Sequence, residues 1–229
     1  MPSLIEIQLD VLFTRNAGGQ LIATRDPSPR PAPRVFIGRS VAGNAWAVHQ
    51  DIDPTTRAEL NRLLSAEPRL VAANFEQGPV CRARVREVLK PVDVEYRGPA
   101  YVLSEPLPHD DRAREVSASE RSEWFDAFPW LAEEFEAVAP VVIAFEAGHP
   151  AAICHSPRGL TAAAAEAGVE TVERFRGRGL ATAAVACWAR AVQRTGRLAL
   201  YSTSWENTGS QAVARRLSAR LYGEDWHIT

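Results

Sequence analysis

Arg174, Arg176 and Arg178 alternate with Gly177 and Gly179 in a stretch whose residue types suit the holding of a phosphate. From Val169 to Thr182 the chain reads V-E-T-V-E-R-F-R-G-R-G-L-A-T. It runs as a short alternating segment, a basic glycine turn, and the start of an apolar-periodic helix. Glycine allows close approach of the backbone to a ligand. The first N–H groups of a helix have no internal partner, and the helix dipole adds partial positive charge there. The residues therefore predict a pyrophosphate-bearing ligand at the N-terminus of a helix beginning near Leu180.

Arg174-Phe175-Arg176-Gly177-Arg178-Gly179 resembles the R/Q-x-x-G-x-G/A signature of the GNAT superfamily of N-acetyltransferases. A second block, from Leu198 through Asn207 and Ser210 to Leu217, resembles that family's following strand, asparagine and helix, in the same order and at similar spacing. The likeness is detailed from about Val141 onward and extends more loosely over Val92 to Pro140. It implies an α+β fold with a mixed sheet, the GNAT acyl-CoA N-acyltransferase fold, preceded by an N-terminal α/β extension. On that reading residues 1–90 are the extension and residues 91–229 the acetyltransferase domain.

The resemblance also implies acetyl-CoA as co-substrate and an amine as acceptor. The strands carrying Val169–Thr171 and Leu198–Ser202 would splay apart, and the pantetheine arm would pair with the free edge of the first, as a peptide strand would. Val169 and Thr171 are carried over for that edge. Arg174, Arg176, Gly177, Arg178, Gly179, Leu180 and Ala181 are carried over for the pyrophosphate cradle, and Asn207 for the arm. Acyl transfer needs a base for the ammonium, donors for the oxyanion, and a route for the departing thiolate. Glu166 and Glu170 are the candidate bases, each also readable as a solvated carboxylate on a strand edge; Glu173 reads as a surface charge. Many family members carry a tyrosine seven residues after the asparagine, as acid toward the thiolate. Here that position is Ala214. Either Tyr201 substitutes, or the thiolate leaves unaided; Tyr201 is otherwise a packed strand residue, and Tyr222 is a weaker candidate. No activated nucleophile stands out, so direct transfer in a ternary complex is expected. A catalytically weak or inactive acyl-CoA-binding sensor of the same fold is the alternative.

Other chemistries fit poorly. A net charge of −2 over 229 residues argues against a general nucleic-acid binder. Of 26 basic residues only Lys90 is lysine. Cys81, Cys154 and Cys187 are odd in number and far apart, and the histidines lack metal spacing. Neither a disulfide framework nor a metal is expected, and a reducing cytoplasm is. No signal peptide or membrane span is expected. Cys154 and His155 are adjacent, hence on opposite sides of a strand, and make no nucleophile–base pair. G-R-G-L-A-T partly mimics a dinucleotide fingerprint, but lacks the third glycine and a following acidic residue at a strand end. Trp124, Phe125, Phe128, Trp130 and Phe135 read as core, with an acceptor pocket as the alternative. Arg215, Arg216 and Arg220 read as a solvated face, one of which could meet the 3′-phosphate of CoA. The acceptor cannot be read, and a homodimer contact through the extension stays open.

The elements that must position these groups follow from patterning. Strands are predicted over Leu4–Thr14, Gln20–Thr24, Arg34–Gly38 and Ala45–His49, with a proline-rich loop from Asp26 to Pro33. A helix capped by Asp53-Pro54 runs to about Ala66, and another covers Pro79–Leu89. Strand-like pieces lie between Val92 and Ser104. Helical spacing recurs over Ser119–Phe128 and Pro129–Phe135. Val141–Phe145 and Ala151–His155 form a hairpin turning at Gly148, and Pro157–Gly159 turns the chain again. One strand is expected within Ala162–Thr171. The helix Leu180–Arg194, the strand Arg197–Thr203, a helix from Ser210 to about Arg220 and a last strand from Leu221 to Ile228 complete the chain.

Overall fold

Helix α1 (Leu4–Leu12) opens the chain, where the first residues suggest a strand. The run L-I-E-I-Q-L-D-V-L satisfies both periods, so alternation alone misleads. The capping box decides: the Glu6 N–H donates to Ser3 Oγ at 3.4 Å, and the Ser3 N–H donates back to the Glu6 carboxylate at 2.6 Å. Ile5, Leu9 and Leu12 then share a buried stripe. The strand expected over Leu4–Thr14 shrinks to β1 (Phe13–Arg15), which pairs with β2 (Leu21–Thr24) across the expected glycine turn. The computed structural model describes residues 2–71, 77–158 and 161–229. Gly159, in the turn expected at Pro157–Gly159, lies outside the described residues.

The chain packs as two units, Met1–Ala100 with Ser202–Glu206 and Leu221–Thr229, and Tyr101–Tyr201 with Asn207–Arg220. In the first, β3 (Val35–Ser40) lies between β4 (Asn44–Val48) and β12 (Arg220–Ile228), antiparallel to both. Strand β5 (Glu95–Leu103) flanks β12. Helix α2 (Pro54–Ser65) starts as its sequence predicts, with Asp53 accepting from the Thr55 and Thr56 N–H groups and proline in the first turn. Helices α2 and α3 (Arg82–Val88) bury Leu60, Leu64 and Val85 against Val35, Ile37 and Trp226.

A buried ion triad ties this unit together. Arg39 on β3 is 2% exposed. Its two terminal nitrogens meet Glu67 at 3.0 Å and Glu224 at 2.9 Å. Glu67 also accepts from the Val80 and Cys81 N–H groups, and Glu224 from Trp205 Nε1. Burial still pushes the Glu224 carboxyl above its ordinary range, although Arg39 pulls the other way.

In the second unit β6 (Ala113–Glu115), β7 (Val142–Glu146), β8 (His149–His155) and β10 (Gly168–Thr171) form a four-stranded antiparallel sheet. Side-chain alternation splits its core. Val142, Ala144 and Cys154 face one cluster, built on helix α6 (Leu180–Arg194); Ile143 and Ile153 face the other. The second cluster takes Trp124, Phe128 and Phe135 from a run of single helical turns that includes α4 (Arg121–Trp124) and α5 (Leu131–Glu134). Those aromatics are core, and the two longer helices expected there are broken into single turns.

The expectation of one strand within Ala162–Thr171 is also corrected. Strand β9 (Ala164–Glu166) pairs in parallel with β11 (Leu198–Ser202), whereas β10 pairs with β8 in a different sheet. Gly168 permits the change of partner. A Cβ there would lie 2.8 Å from Pro157 and 3.0 Å from His155 Nε2. Helix α7 (Thr208–Arg216) begins two residues before the expected Ser210.

Arg39→Met leaves Glu67 and Glu224 as buried carboxylates without their cation. Urea denaturation at neutral pH is expected to show a loss of about 3–5 kcal/mol, the usual cost of breaking a buried pair from one side.

Candidate functional site

Strand β10 is the edge of its sheet, and its free edge can be assigned residue by residue. The Val172 N–H donates to Ala151 O at 2.9 Å, toward β8. Backbone groups alternate sides along a strand. Those of Val169 and Thr171 therefore point away from β8. Ala167 has the same parity, and its N–H donates to Leu200 O on β11 at 3.0 Å. Two residues later β11 is no longer paired with this stretch: the β9–β11 ladder is registered over Ala164–Glu166 only. The strands part after Ala167, and a cleft of about 660 Å³ opens between them.

Helix α6 begins at this cleft. Its cap residue is Gly179 at φ 81°, and among the described residues no side chain caps the first turn. Gly177 has φ 80°, a left-handed conformation that other residues adopt at a cost. A Cβ on Gly177 would meet nothing within 4 Å, so backbone conformation and not crowding demands the glycine. The N-terminal amides of a fifteen-residue helix thus stand bare beside an open space, a ready anion site.

The structure gathers most of the sequence-selected residues around this cleft. Val169, Glu170, Thr171, Arg176, Gly177, Gly179, Leu180, Ala181, Tyr201 and Asn207 all line it. Three do not. Arg178 turns to Glu146 at 3.3 Å and lies over the Phe175 ring. Arg174 lies over Phe175 and opens into a neighbouring cavity of about 760 Å³. Glu166 is 4% exposed on β9, away from the lining. The neighbouring cavity is the larger, but it holds neither the bare helix start nor the free strand edge, and its Arg114 is neutralised by Glu120 and Glu123.

Asn207 has a defined structural role: its Oδ1 accepts from the Ser210 N–H at 3.0 Å and caps α7. Tyr201 is 2% exposed, yet borders the cleft. Its Oη lies 2.5 Å from Ser210 Oγ, and burial pushes its phenol up to about 12. Ala214, the position of the family tyrosine, is buried in the core.

Of Arg215, Arg216 and Arg220, Arg216 lines the cleft. One contributor escaped the sequence reading. Arg112 donates to Arg178 O at 3.4 Å and meets Glu146 at 3.5 Å, so Glu146 bridges two arginines beside the glycine turn. A loop arginine sixty-six residues upstream gives no local signal. Cys154 and His155 do face opposite ways: Cys154 is in the α6 cluster, whereas His155 packs on Trp130 at 4.9 Å. Burial pushes His155 down to about 4, and its Nδ1 is buried without a hydrogen-bond partner among the described residues. Among the described residues no group of three or more His, Cys, Asp or Glu could hold a metal, and no helix is long and apolar enough to cross a membrane.

The chain is similar to several solved GNAT-family structures. One from Novosphingobium aromaticivorans aligns at 17% identity and TM-score 0.49, over 60% of this chain and 65% of its own, just under two thirds of that protein. A GCN5-related N-acetyltransferase-like protein from Streptococcus suis aligns at 14% identity and TM-score 0.48, over 86% of this chain and 85% of its own. The aminoglycoside N-acetyltransferase AAC(6')-Iy, solved in complex with CoA, aligns at 23% identity and TM-score 0.36, over 46% of this chain and 88% of its own. No family model matches the sequence, and no curated protein is significantly similar to it. With identities this low, what the cleft does must follow from its own residues.

The His155 ring is expected to titrate near 4 by NMR, against an ordinary 6.5. Between those values the unfolded chain binds a proton that the folded chain refuses. Stability should therefore fall as pH drops from about 6.5 toward 4, and His155→Gln should flatten that part of the profile. A midpoint above 6 would contradict the burial of the ring.

Proposed function

We propose that this chain is a GNAT-type N-acetyltransferase. It moves an acetyl group from acetyl-CoA to a primary amine by direct transfer in a ternary complex. The observation that carries the reading is one cleft lined by both an unpaired strand edge and an uncapped helix N-terminus. A pantetheine arm is peptide-like and suits the edge of Val169 and Thr171. A pyrophosphate suits the amides from Gly177 to Ala181, with Arg176 adding formal charge. Arg216, on the α7 side of the cleft, suits a further phosphate, and the CoA nucleotide carries one at its 3′ position.

The thioester would lie beside Ala167 to Val169, where the strands part. The Val169 N–H, which points away from β8, suits the developing oxyanion. The amine acceptor must arrive as, or become, the free base. Glu170 lines the cleft with an exposed carboxylate and is the better base, directly or through water. Glu166, buried and outside the lining, is the lesser one. Attack forms the C–N bond, the C–S bond breaks, the amine proton leaves through the base, and the electron pair stays on sulfur. The Tyr201 and Ser210 hydroxyls on the cleft favour turnover over a sensor that binds acyl-CoA without using it. The 91–229 acetyltransferase domain and the 1–90 extension belong to the same reading. So does a cytoplasmic setting, in keeping with three unpaired cysteines.

Acetyl-CoA is expected to raise the melting temperature, since a ligand that binds only the folded state stabilises it by about 2.7 kcal/mol at a hundred times its Kd. Gly177→Asp combined with Gly179→Asp should abolish that rise while the protein still melts cooperatively. No rise at millimolar acetyl-CoA in the unmodified protein, or an undiminished rise in the double variant, would sink the proposal.

A further inference from the structure

Tyr201 and Ser210 stand at a particular depth in the cleft. Leu200 is registered with Glu166, so Tyr201 falls level with Ala167, at the last bridge before the strands part. The Tyr201 side chain reaches toward the start of α7. Its Oη lies 2.5 Å from Ser210 Oγ and 3.5 Å from Ser210 O. Burial keeps the phenol protonated across the neutral range. A buried hydroxyl donates its hydrogen, and among the described residues both acceptors within reach belong to Ser210.

If Tyr201 donates to Ser210 Oγ, the Ser210 hydrogen must point elsewhere. Ser210 is half-buried and borders the cleft. Its backbone is fixed by the Asn207 cap at 3.0 Å. Its hydroxyl has no other hydrogen-bond partner among the described residues. One turn further along α7, Ala214 is buried and offers no polar group. The first turn of α7, not the second, therefore offers a hydroxyl at the level where the strands diverge.

We infer that Ser210, oriented by Tyr201, donates a hydrogen bond to the sulfur of CoA. The inference rests on the acyl-CoA reading above and identifies the group that receives the leaving thiolate. As the C–S bond breaks, the electron pair stays on sulfur and the Ser210 O–H stabilises it. No proton leaves Ser210 or Tyr201, and the thiolate takes its proton afterward from water. Tyr201 is a positioning residue: it holds the Ser210 oxygen as acceptor and so turns the serine hydrogen outward.

Bound CoA itself reports this contact, with no acceptor amine needed. The ultraviolet absorbance of the CoA thiolate is followed against pH with the full chain in excess, and the titration of the protein alone is subtracted from it. The protein's own thiols, which burial pushes upward at Cys81, Cys154 and Cys187, are removed by the same subtraction. A hydrogen bond to the charged form is expected to lower the bound thiol pKa by about one to two units relative to Ser210→Ala. Ser210→Thr should keep the unmodified value, and Tyr201→Phe should fall between. Equal pKa values in the unmodified protein and Ser210→Ala overturn the inference. So does loss of the CoA-dependent rise in melting temperature in both Ser210→Ala and Tyr201→Phe, which would make the pair a brace for the cleft. If the unmodified protein itself shows no such rise, the acyl-CoA reading fails and this inference with it. If it binds CoA with an unshifted thiol, only this inference fails.

Discussion

The hydrogen bond from the Ala167 N–H to Leu200 O is the last rung before the site begins. Up to that point the backbone of β9 is satisfied by β11. Beyond it, β10 is held by β8 alone, and every second residue offers its N–H and C=O to a gap. An unpaired strand edge still needs hydrogen-bond partners, so the gap suits water or something that hydrogen-bonds like a strand. The divergence is built into the packing. Gly168 lets the chain approach Pro157 and His155 more closely than any side chain would allow, and α6 covers the sheet with alanines that permit close contact.

Charge is sorted around the cleft by pairing. Of the arginines near the glycine turn, Arg178 and Arg112 share Glu146, and Arg112 also holds Asp110. Their role is to hold the turn in place: Arg112 grips the Arg178 carbonyl, fixing the approach to Gly179. Arg176 and Arg216 border the cleft without a carboxylate partner among the described residues, and remain available to an anion. Sequence spacing treats Arg174, Arg176 and Arg178 alike, whereas their partners make them three different residues.

The polar groups deeper in the cleft are few, and each is held by something. Asn207 is occupied as a helix cap, which places Ser210. Tyr201 is buried, and its hydroxyl pairs with that of Ser210. This economy follows from a wall made largely of backbone and small residues. Where main-chain amides do the gripping, side chains are left mainly to orient one another.

Local chemistry was enough to make several features legible in the sequence. The glycine turn, the span of α6 and the Asp53 cap are all dictated by residues within a few positions of each other, because helix starts and left-handed turns have short-range causes. The candidate site was legible for the same reason, since its strand edge, turn and helix are contiguous. What tertiary structure alone decided involves partners far away in the chain. The run Leu4–Leu12 fits either period, and the cap at Ser3 with burial of Ile5 and Leu9 selects the helix. The break at Ala167 was invisible, because nothing in A-A-A-E-A-G-V-E-T says that its two halves bond to different neighbours. Nor could the sequence say which arginine faces the cleft, or that Tyr201 meets Ser210, since pairing across strands and helices is a property of distance in space.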